Sequence, residues 1–296
     1  MDLFLDRIVI GLEQGAIYAS VALALVLIYR STGFVNFAQG EMALFSTFLT
    51  WQFWDWGVPI GFAIVASMVV SFLGGAAIER LLIRPVGDVE HHALPLVIVT
   101  VGMLLALNAL VGWIWGTDGR IFPKIFTSRT IDIGSVSISY QSLGTLAVLV
   151  VEVLLLFLLF QRTKLGLAMR SVASNSESSR LAGIRVGRIL MFGWGLAAAV
   201  GALAGALYAS QLSLLDTNIF FQLLIYAFAA ATLGGFDSPL GAVVGGLIVG
   251  LVTVLAGGYI GFVGEDLKLV AAFVLILVVL LVRPQGLFGR KQVTRV

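Results

Sequence analysis

The sequence predicts an all-α fold, a polytopic transmembrane helical bundle with about seven to nine membrane segments. Hydrophobic residues make up 59% of the 296-residue chain and charged residues only 11%, whereas soluble domains carry about 25% charged residues. Several apolar runs approach or exceed the ~20 residues that span a bilayer as a helix. These runs do not alternate between apolar and polar residues, as the strands of a membrane barrel would.

Composition also limits the domain organisation and the chemistry. Because the membrane segments use up the length, we expect one domain over 1–296. The chain has no cysteine, which excludes thiol catalysis, disulfides and cysteine-based metal sites. The N-terminal MDLFLDR carries acids where a cleavable signal would carry basic residues. The net charge of +2 does not predict nucleic-acid binding, because the basic residues lie at the ends of apolar runs, where they orient a membrane protein.

Nine apolar segments follow one another along the chain. Two of them, 219–233 and 239–256, are short for a full crossing, so they form either two crossings or one re-entrant pair. In the loop 116–139, the alternating residues Ser137, Ile138 and Ser139 predict a short hairpin. The predicted segments are 8–29, 34–54, 60–79, 94–115, 140–160, 189–212, 219–233, 239–256 and 267–282.

The basic residues predict the orientation of the bundle. If the polar stretch 162–188 lies inside the cell, alternation of the segments places thirteen of the eighteen Lys and Arg residues on that side. The positive-inside rule then puts the N-terminus outside and the C-terminus inside, which requires an odd number of crossings. Seven crossings and nine crossings both satisfy this condition.

The polar stretch 162–188 has a helical pattern of its own. Apolar residues at helical spacing form one stripe, while Lys164, Arg170, Ser171 and Ser174 take the other side. A second short helix is predicted from Asn175 to Ala182, with Ser174 and Glu177 as a capping box and Gly183 as its left-handed end. The pattern alone fits a helix lying on lipid headgroups as well as a helix docking on a protein. The stripe consists of Leu165, Ala168, Met169, Val172 and Ala173.

This stretch resembles the cytoplasmic signature of bacterial ABC importer permeases for branched-chain amino acids, the LivH/LivM-type group. The signature residues present here are Thr163, Gly166, Arg170, Asn175, Ala182, Gly183 and Ile184. The chain departs from the family pattern at Ser171, Ser176 and Ser179, where Ala, Pro and Ala are common. The element Asn36-Phe37-Ala38-Gln39-Gly40-Glu41, the stretch GGFDSPLGAVVGGLIVGL and the terminal RPQGLFGR also match the family.

The resemblance implies a multi-pass permease subunit in the bacterial plasma (inner) membrane, LivH-like in its length and short termini. It implies four kinds of partner: a second, LivM-like permease, two cytoplasmic ATPase subunits, an extracytoplasmic substrate-binding protein and membrane lipids. The signature residues of 162–188 would couple the permease to an ATPase. No cofactor is expected in this chain, since it has no G-x-x-x-x-G-K-[ST] motif and ATP would be bound by the partner subunits.

Polar residues inside apolar segments are the other candidates, because burying them in hydrocarbon is expensive. The candidates for the translocation pathway or its gating are Asn36, Gln39, Glu41, Gln222, Gly234 and Gly235. The first three are expected near the inner face, since Arg30 precedes them, and helix capping or contacts between helices would explain them equally. A plain inner turn is the simpler explanation of the glycines. Glu13, Asn108 and Glu152 are further polar residues within the segments.

The sequence gives no evidence of a metal site or of a catalytic site, while the substrate and the type of transporter stay open. His91 and His92, the only histidines, lack a third ligand and predict a surface pair rather than a metal site. No arrangement of Ser, His and Asp indicates an intramembrane enzyme. The resemblance implies branched-chain or related amino acids as the substrate, with urea, short amides or other small polar solutes as the alternative. A stand-alone channel or secondary transporter, with 162–188 resting on lipid, is the alternative function, and the permease pair could be homodimeric or heterodimeric.

Overall fold

A computed structural model describes residues 2–87, 89–127, 129–133, 136–260 and 267–289. A π-helical turn, Glu79–Ile83, and a 3-10 turn, Arg84–Val86, extend the third helix. The helices are α1 (Asp2–Thr32), α2 (Gln39–Asp55), α3 (Ile60–Ile78), α4 (Val89–Trp115), α5 (Tyr140–Arg162), α6 (Lys164–Ser174), α7 (Ser176–Leu181), α8 (Val186–Leu212), α9 (Ile219–Gly234), α10 (Pro239–Tyr259) and α11 (Lys268–Val282). The strands are β1 (Arg120–Ile121), β2 (Thr130–Ile133), β3 (Val136–Ser139) and β4 (Leu214–Leu215).

Helix α1 lies at the centre of the bundle and packs closely on α10. A Cβ atom added to Gly246 would collide with the backbone of Ala19, and one added to Gly250 would collide with the backbones of Gly11 and Gly15. The two helix backbones therefore touch where both sequences carry small residues. Lipid tails are as apolar as the side chains of a membrane helix, so burial of apolar surface does not drive membrane helices together. Close backbone approach of this kind stabilises their contact through van der Waals packing instead.

Helix α8 packs on two neighbours through its small residues. Gly195 faces Phe72 of α3, while Gly201 and Gly205 face Gln39 and Thr47 of α2. The glycines at 201 and 205 thus form a contact between helices. Trp194 is fully buried beside these glycines and lies against the ring of Phe34. Helix α8 is consequently as central to the bundle as α1.

The bundle has buried central helices and exposed outer ones. In the most apolar window of each helix, 72% of the residues are buried in α1 and α8, against 28% in α3, 22% in α4 and 28% in α5. Large apolar side chains such as Leu73, Leu105 and Leu155 are exposed on these outer helices. Within the described chain, α1, α3, α4, α5, α8 and α10 are long and apolar enough to cross a membrane, and α9 and α11 are shorter apolar helices. An outer surface of this kind suits lipid.

Long helices that follow one another along the chain run in opposite directions, so several turns lie at one end of the bundle. Arg30 stacks over the ring of Phe160 at a distance of 5.6 Å, and Tyr29 contacts Phe236. Arg84 donates a 2.6 Å hydrogen bond to the carbonyl of Gly187. We call this end the basic end; it comprises the end of α1, the turns after α3, the stretch 162–188, the α9–α10 turn and residues 283–289.

The structure matches most of the predicted segments and differs at two. Helix α2 begins at Gln39 instead of 34, and α4 begins at Val89, so His91 and His92 lie in its first turns rather than in a link. Their side chains lie outside the described residues. The predicted hairpin is present as β2 and β3, with Ile131 opposite Ile138. The pairing of β1 with β4 was not predicted, because two-residue strands carry no periodic signal.

The close contact of α1 with α10 predicts a strong effect of Gly250→Val. The added side chain has no space beside Gly11 and Gly15, so the two helices must separate. We expect the free energy of unfolding in detergent to fall by about 1–3 kcal/mol, measured by thermal unfolding. The control is Gly74→Val, because a Cβ atom at this exposed position of α3 meets nothing within 4 Å. Equal melting temperatures of the two variants would contradict this packing.

Candidate functional site

The stretch 162–188 folds into the helix pair α6 and α7, and two signature residues form the turn that leads into it. The side chain of Thr163 caps α6 by accepting a 2.9 Å hydrogen bond from the Gly166 amide. Gly166 lies against the last turn of α5, where a Cβ atom would collide with the backbones of Leu159 and Phe160. The role of these residues is therefore to fold α6 back sharply against α5.

The predicted apolar stripe of α6 faces the protein. Met169 is 4% exposed and Val172 is 5% exposed, while Leu165 and Ala168 are half-buried and pack on the same core. Helix α6 lies on α1 and α8 through this stripe. Ala173, the fifth predicted member, is exposed instead. The apolar face of α6 is consequently already covered by the bundle.

Helix α7 begins one residue later than predicted and has a different cap. Asn175 has the extended backbone that a cap requires, and its side chain accepts a 2.7 Å hydrogen bond from the amide of Ser178. Ser174 is instead the last residue of α6, so the predicted capping box with Glu177 is wrong. Gly183 ends the segment with a φ of +82°, as predicted for a left-handed position.

The sequence predicts Arg170 on the polar side of α6, and in the structure its side chain turns back towards α5. It is half-buried, and its guanidinium donates a 3.2 Å hydrogen bond to the side chain of Gln161. It borders a small recess with Phe160 and Arg30. Arg170 therefore helps to hold α6 on the end of α5.

The outward surface of the helix pair is formed mainly by α7 and the residues that follow it. Leu181, the last residue of α7, is 87% exposed. Ile184, by contrast, is half-buried and packs on the core. We call this the α7 surface; its exposed residues are Asn175, Ser176, Glu177, Ser178, Arg180, Leu181, Ala182, Gly183 and Arg185.

A second group of polar residues lies inside the bundle, at the start of α2. Asn36 is fully buried and accepts a hydrogen bond from the Ala38 amide through its side-chain oxygen, at 3.0 Å. Gln39, also fully buried, donates a 3.2 Å hydrogen bond to the carbonyl of Ala197. Ala197 lies near the middle of α8, so this group is at mid-depth. The expectation that these residues lie near the inner face is wrong, because residues 33–38 lead the chain back into the bundle before α2 begins.

Glu41 makes a second set of contacts, on a different side of α2 from Gln39. It is 3% exposed and accepts a 3.1 Å hydrogen bond from the Asn108 side chain of α4. The same amide nitrogen donates to the carbonyl of Thr217 at 3.1 Å. We call the two sets together the buried polar cluster, Asn36, Gln39, Glu41, Asn108 and Thr217; they connect α2 with α8 on one side and with α4 and the segment before α9 on the other.

The remaining pathway candidates do not belong to this cluster. Gln222 is exposed on α9. Gly234 and Gly235 lie at the basic end, in the turn between α9 and α10, as expected from the simpler explanation of these glycines. The amides of Leu287 and Phe288 donate to the carbonyls of Leu233 and Gly234 at 2.8 and 3.1 Å. The chain itself therefore supplies a donor to each of these carbonyls.

Comparison with known proteins identifies the group to which this bundle belongs. Residues 7–280 match the family described as "Branched-chain amino acid transport system / permease component". The chain belongs to this family. The permease is 29% identical to the high-affinity branched-chain amino acid transport system permease protein LivH of Escherichia coli K12, over 99% of this chain and 98% of LivH. This is a family of transport permeases and not of enzymes.

Two further relatives are similar over nearly the whole permease. BraD of Pseudomonas aeruginosa, a high-affinity branched-chain amino acid transport system permease protein, is 29% identical over 99% of this chain and 98% of its own length. A probable branched-chain amino acid transport permease protein LivH of Methanocaldococcus jannaschii is 27% identical over 94% and 91%. The family membership and the long apolar helices together identify a multi-pass membrane protein.

The structure of the permease also reveals polar contacts that the sequence did not predict. Ser46 and Ser71 share a 2.6 Å hydrogen bond between α2 and α3, as do Thr50 and Ser67. Their partners lie in different helices, so no local pattern marks them. Glu152 of α5 accepts a 2.6 Å hydrogen bond from Ser20 of α1, and Glu13 of α1 accepts one from Ser142 of α5. Each of these two helices therefore offers the other a carboxyl group and a hydroxyl group.

The buried polar cluster predicts that Asn108→Ala destabilises the permease. The substitution removes the donor to Glu41 and to Thr217, and it leaves a buried carboxyl group without that partner. We expect the free energy of unfolding to fall by about 1–3 kcal/mol, measured by thermal unfolding in detergent. Asn218→Ala is the matched control, because this exposed asparagine bonds only to Asp216 nearby. If the two variants have the same melting temperature, the cluster does not stabilise the contacts between these helices.

Proposed function

We propose that the chain is the membrane-spanning subunit of a bacterial inner-membrane ABC importer for branched-chain or related amino acids. Two cytoplasmic ATPase subunits bind and hydrolyse the ATP, so this chain needs no cofactor of its own. A LivM-like permease completes the membrane part, and an extracytoplasmic binding protein delivers the substrate. The names of the relatives support the substrate class, and the family membership supports the permease role.

The exposed α7 surface is the observation that best supports a role in coupling to the ATPase. A helix that rests on lipid headgroups turns its apolar face to the bilayer, but Met169 and Val172 of α6 are buried against the bundle. What the helix pair offers outward is a polar surface with two exposed leucines, Leu181 at the end of α7 and Leu167 on α6, which are 87% and 61% exposed. A surface that presents apolar side chains among polar ones is suited to a groove on another protein. This arrangement favours ATPase docking over the lipid alternative.

The basic end is proposed to face the cytoplasm. It carries the Lys and Arg residues of the end of α1, of the turns after α3 and of 162–188, in agreement with the positive-inside rule. The alternating directions of α1 to α5 and α8 to α11 support nine membrane segments, with the N-terminus outside. Helix α2 is the unusual segment, since it begins at mid-depth and is buried along most of its length.

The buried polar cluster is proposed to act in gating. Helix α2 is fixed to α8 by Gln39 and to α4 by Glu41, at a depth where polar groups have no water to replace these partners. Movement of α6 against α1 and α8 would reach α2 through α8. Closure of the ATPases would thereby shift the cluster between two arrangements, each opening the pathway to one side.

The proposed function is tested by uptake into proteoliposomes. The chain is reconstituted with its LivM-like partner, both ATPases and the binding protein, and uptake of labelled leucine is followed with and without ATP inside the vesicles. Uptake that requires ATP and the binding protein is expected. ATP-independent uptake by this chain alone would favour the stand-alone transporter, and ATP-driven uptake of urea or a short amide instead of leucine would overturn only the substrate.

Leu181→Asp should separate the permease from its ATPase. A charge at the centre of the α7 surface opposes burial in an apolar groove, whereas it costs the folded permease little because Leu181 is already exposed. We expect at least a tenfold loss of co-purified ATPase, with membrane insertion and melting temperature unchanged; this fold-change corresponds to about 1.4 kcal/mol. Leu214→Asp, at the opposite end of the bundle and 41% exposed, is the control. Full ATPase retention by Leu181→Asp would exclude docking through this surface.

A further inference from the structure

A crevice of about 560 Å³ lies between α3 and α8 at the basic end. Three arginines border it, Arg80 and Arg84 from the turns after α3 and Arg188 from the first turn of α8. Its other lining residues are apolar: Phe72, Leu73, Ala76, Met191 and Phe192. Neither the coupling role of the α7 surface nor the buried polar cluster uses this crevice.

The π-helical turn fixes Arg84 at the crevice. In an α-helix, residues five apart lie about 140° apart around the axis, so Glu79 and Arg84 would diverge. The wider π turn, whose hydrogen bonds join residues five apart, brings them together in a 2.6 Å ion pair. Glu79 is 1% exposed and compensates the charge of Arg84. Within the described residues, Arg80 and Arg188 have no carboxylate partner, so the crevice carries an excess positive charge.

The polarity of the crevice changes along the helix axes. All three arginines are exposed and lie towards the basic end, whereas Phe72, Ala76 and Phe192 lie deeper along α3 and α8. The rings of Phe72 and Phe192 meet edge to face, with 5.4 Å between their centroids, and form an apolar wall. A positive mouth above an apolar groove matches a molecule with an anionic head and a hydrocarbon tail.

The surroundings of the crevice indicate that this molecule comes from the bilayer. Leu73 on the crevice wall is 63% exposed, and Leu81 beside Arg80 is 67% exposed. The crevice therefore opens onto the apolar outer surface of α3, which lipid would cover. Arginine pairs with phosphate through two parallel hydrogen bonds, and basic pockets between membrane helices are suited to anionic headgroups.

We propose that the crevice between α3 and α8 binds an anionic phospholipid from the leaflet at the basic end. The phosphate lies among the guanidinium groups of Arg80, Arg84 and Arg188. An acyl chain runs along Phe72, Ala76 and Phe192. The lipid fills the gap between an outer helix and a central helix at the point where α8 leaves the α6–α7 pair.

Native mass spectrometry of the purified chain, titrated with dioleoyl phosphatidylglycerol or dioleoyl phosphatidylcholine, tests this site. The wild type should bind the anionic lipid more tightly. Arg80→Gln combined with Arg188→Gln should weaken phosphatidylglycerol binding by about thirtyfold and remove the preference, since each arginine contributes separately to the attraction. Arg84 is kept, because its loss would leave the buried Glu79 carboxylate without a partner.

Two controls separate the crevice from general surface charge. Lys164→Gln combined with Arg180→Gln removes the same charge from exposed positions at the same end, and it should leave lipid binding unchanged. Ala76→Phe keeps all three arginines but fills the apolar part of the crevice, so it should weaken binding of both lipids. A thirtyfold loss in the Lys164 and Arg180 variant as well would overturn the site.

An acidic segment of a partner protein is the competing occupant of the three arginines. In that case the Arg80 and Arg188 double variant would lose co-purified ATPase while its affinity for phosphatidylglycerol stayed at the wild-type value. That result would overturn the lipid proposal. Loss of ATPase through the crevice can be distinguished from loss of docking at the α7 surface, because Leu181 lies outside the crevice and the Leu181→Asp variant is measured separately.

Discussion

Direct backbone contact between central helices is the constraint on which the rest of this bundle depends. Helices α1 and α10 touch at Gly246 and Gly250, and α8 meets α2 at Gly201 and Gly205. In a bilayer the tails of the lipids are as apolar as leucine, so a larger side chain at these positions would gain no hydrophobic energy in compensation for the lost packing. The glycines thus hold the central helices together, while the exposed apolar sides of α3, α4 and α5 form the outer surface.

Close packing alone would leave the polar groups of these helices without partners, and the chain supplies partners from distant segments. Glu41 uses Asn108 of α4, Glu152 uses Ser20 of α1, and Gln39 uses a backbone carbonyl of α8. These hydrogen bonds differ from the glycine contacts. A hydrogen bond depends on direction and one partner can be exchanged for another, whereas a packing contact is lost when the helices separate. The interior therefore combines the close backbone packing of α1, α8 and α10 with a group of directional polar contacts around the start of α2.

The sequence predicted the membrane segments to within a few residues in most cases, because a run of some twenty apolar residues is a long and unambiguous signal. It also predicted the α6 stripe and the left-handed Gly183, which depend on local spacing. It did not predict that α2 begins at mid-depth or that Arg170 turns back to Gln161, since both follow from contacts between segments far apart in sequence or across a turn. The cap of α7 was missed because Ser174 and Asn175 are both good caps, and only the backbone decides between them.

The segment that follows α11 returns to the end of α9. The last carbonyls of α9, at Leu233 and Gly234, accept hydrogen bonds from the amides of Leu287 and Phe288. These donors lie far later in the sequence than the carbonyls, so a long-range backbone contact completes the α9–α10 turn. The ends of α9 and α11 are thereby held next to each other at the basic end by main-chain atoms, which a change of side chain does not remove.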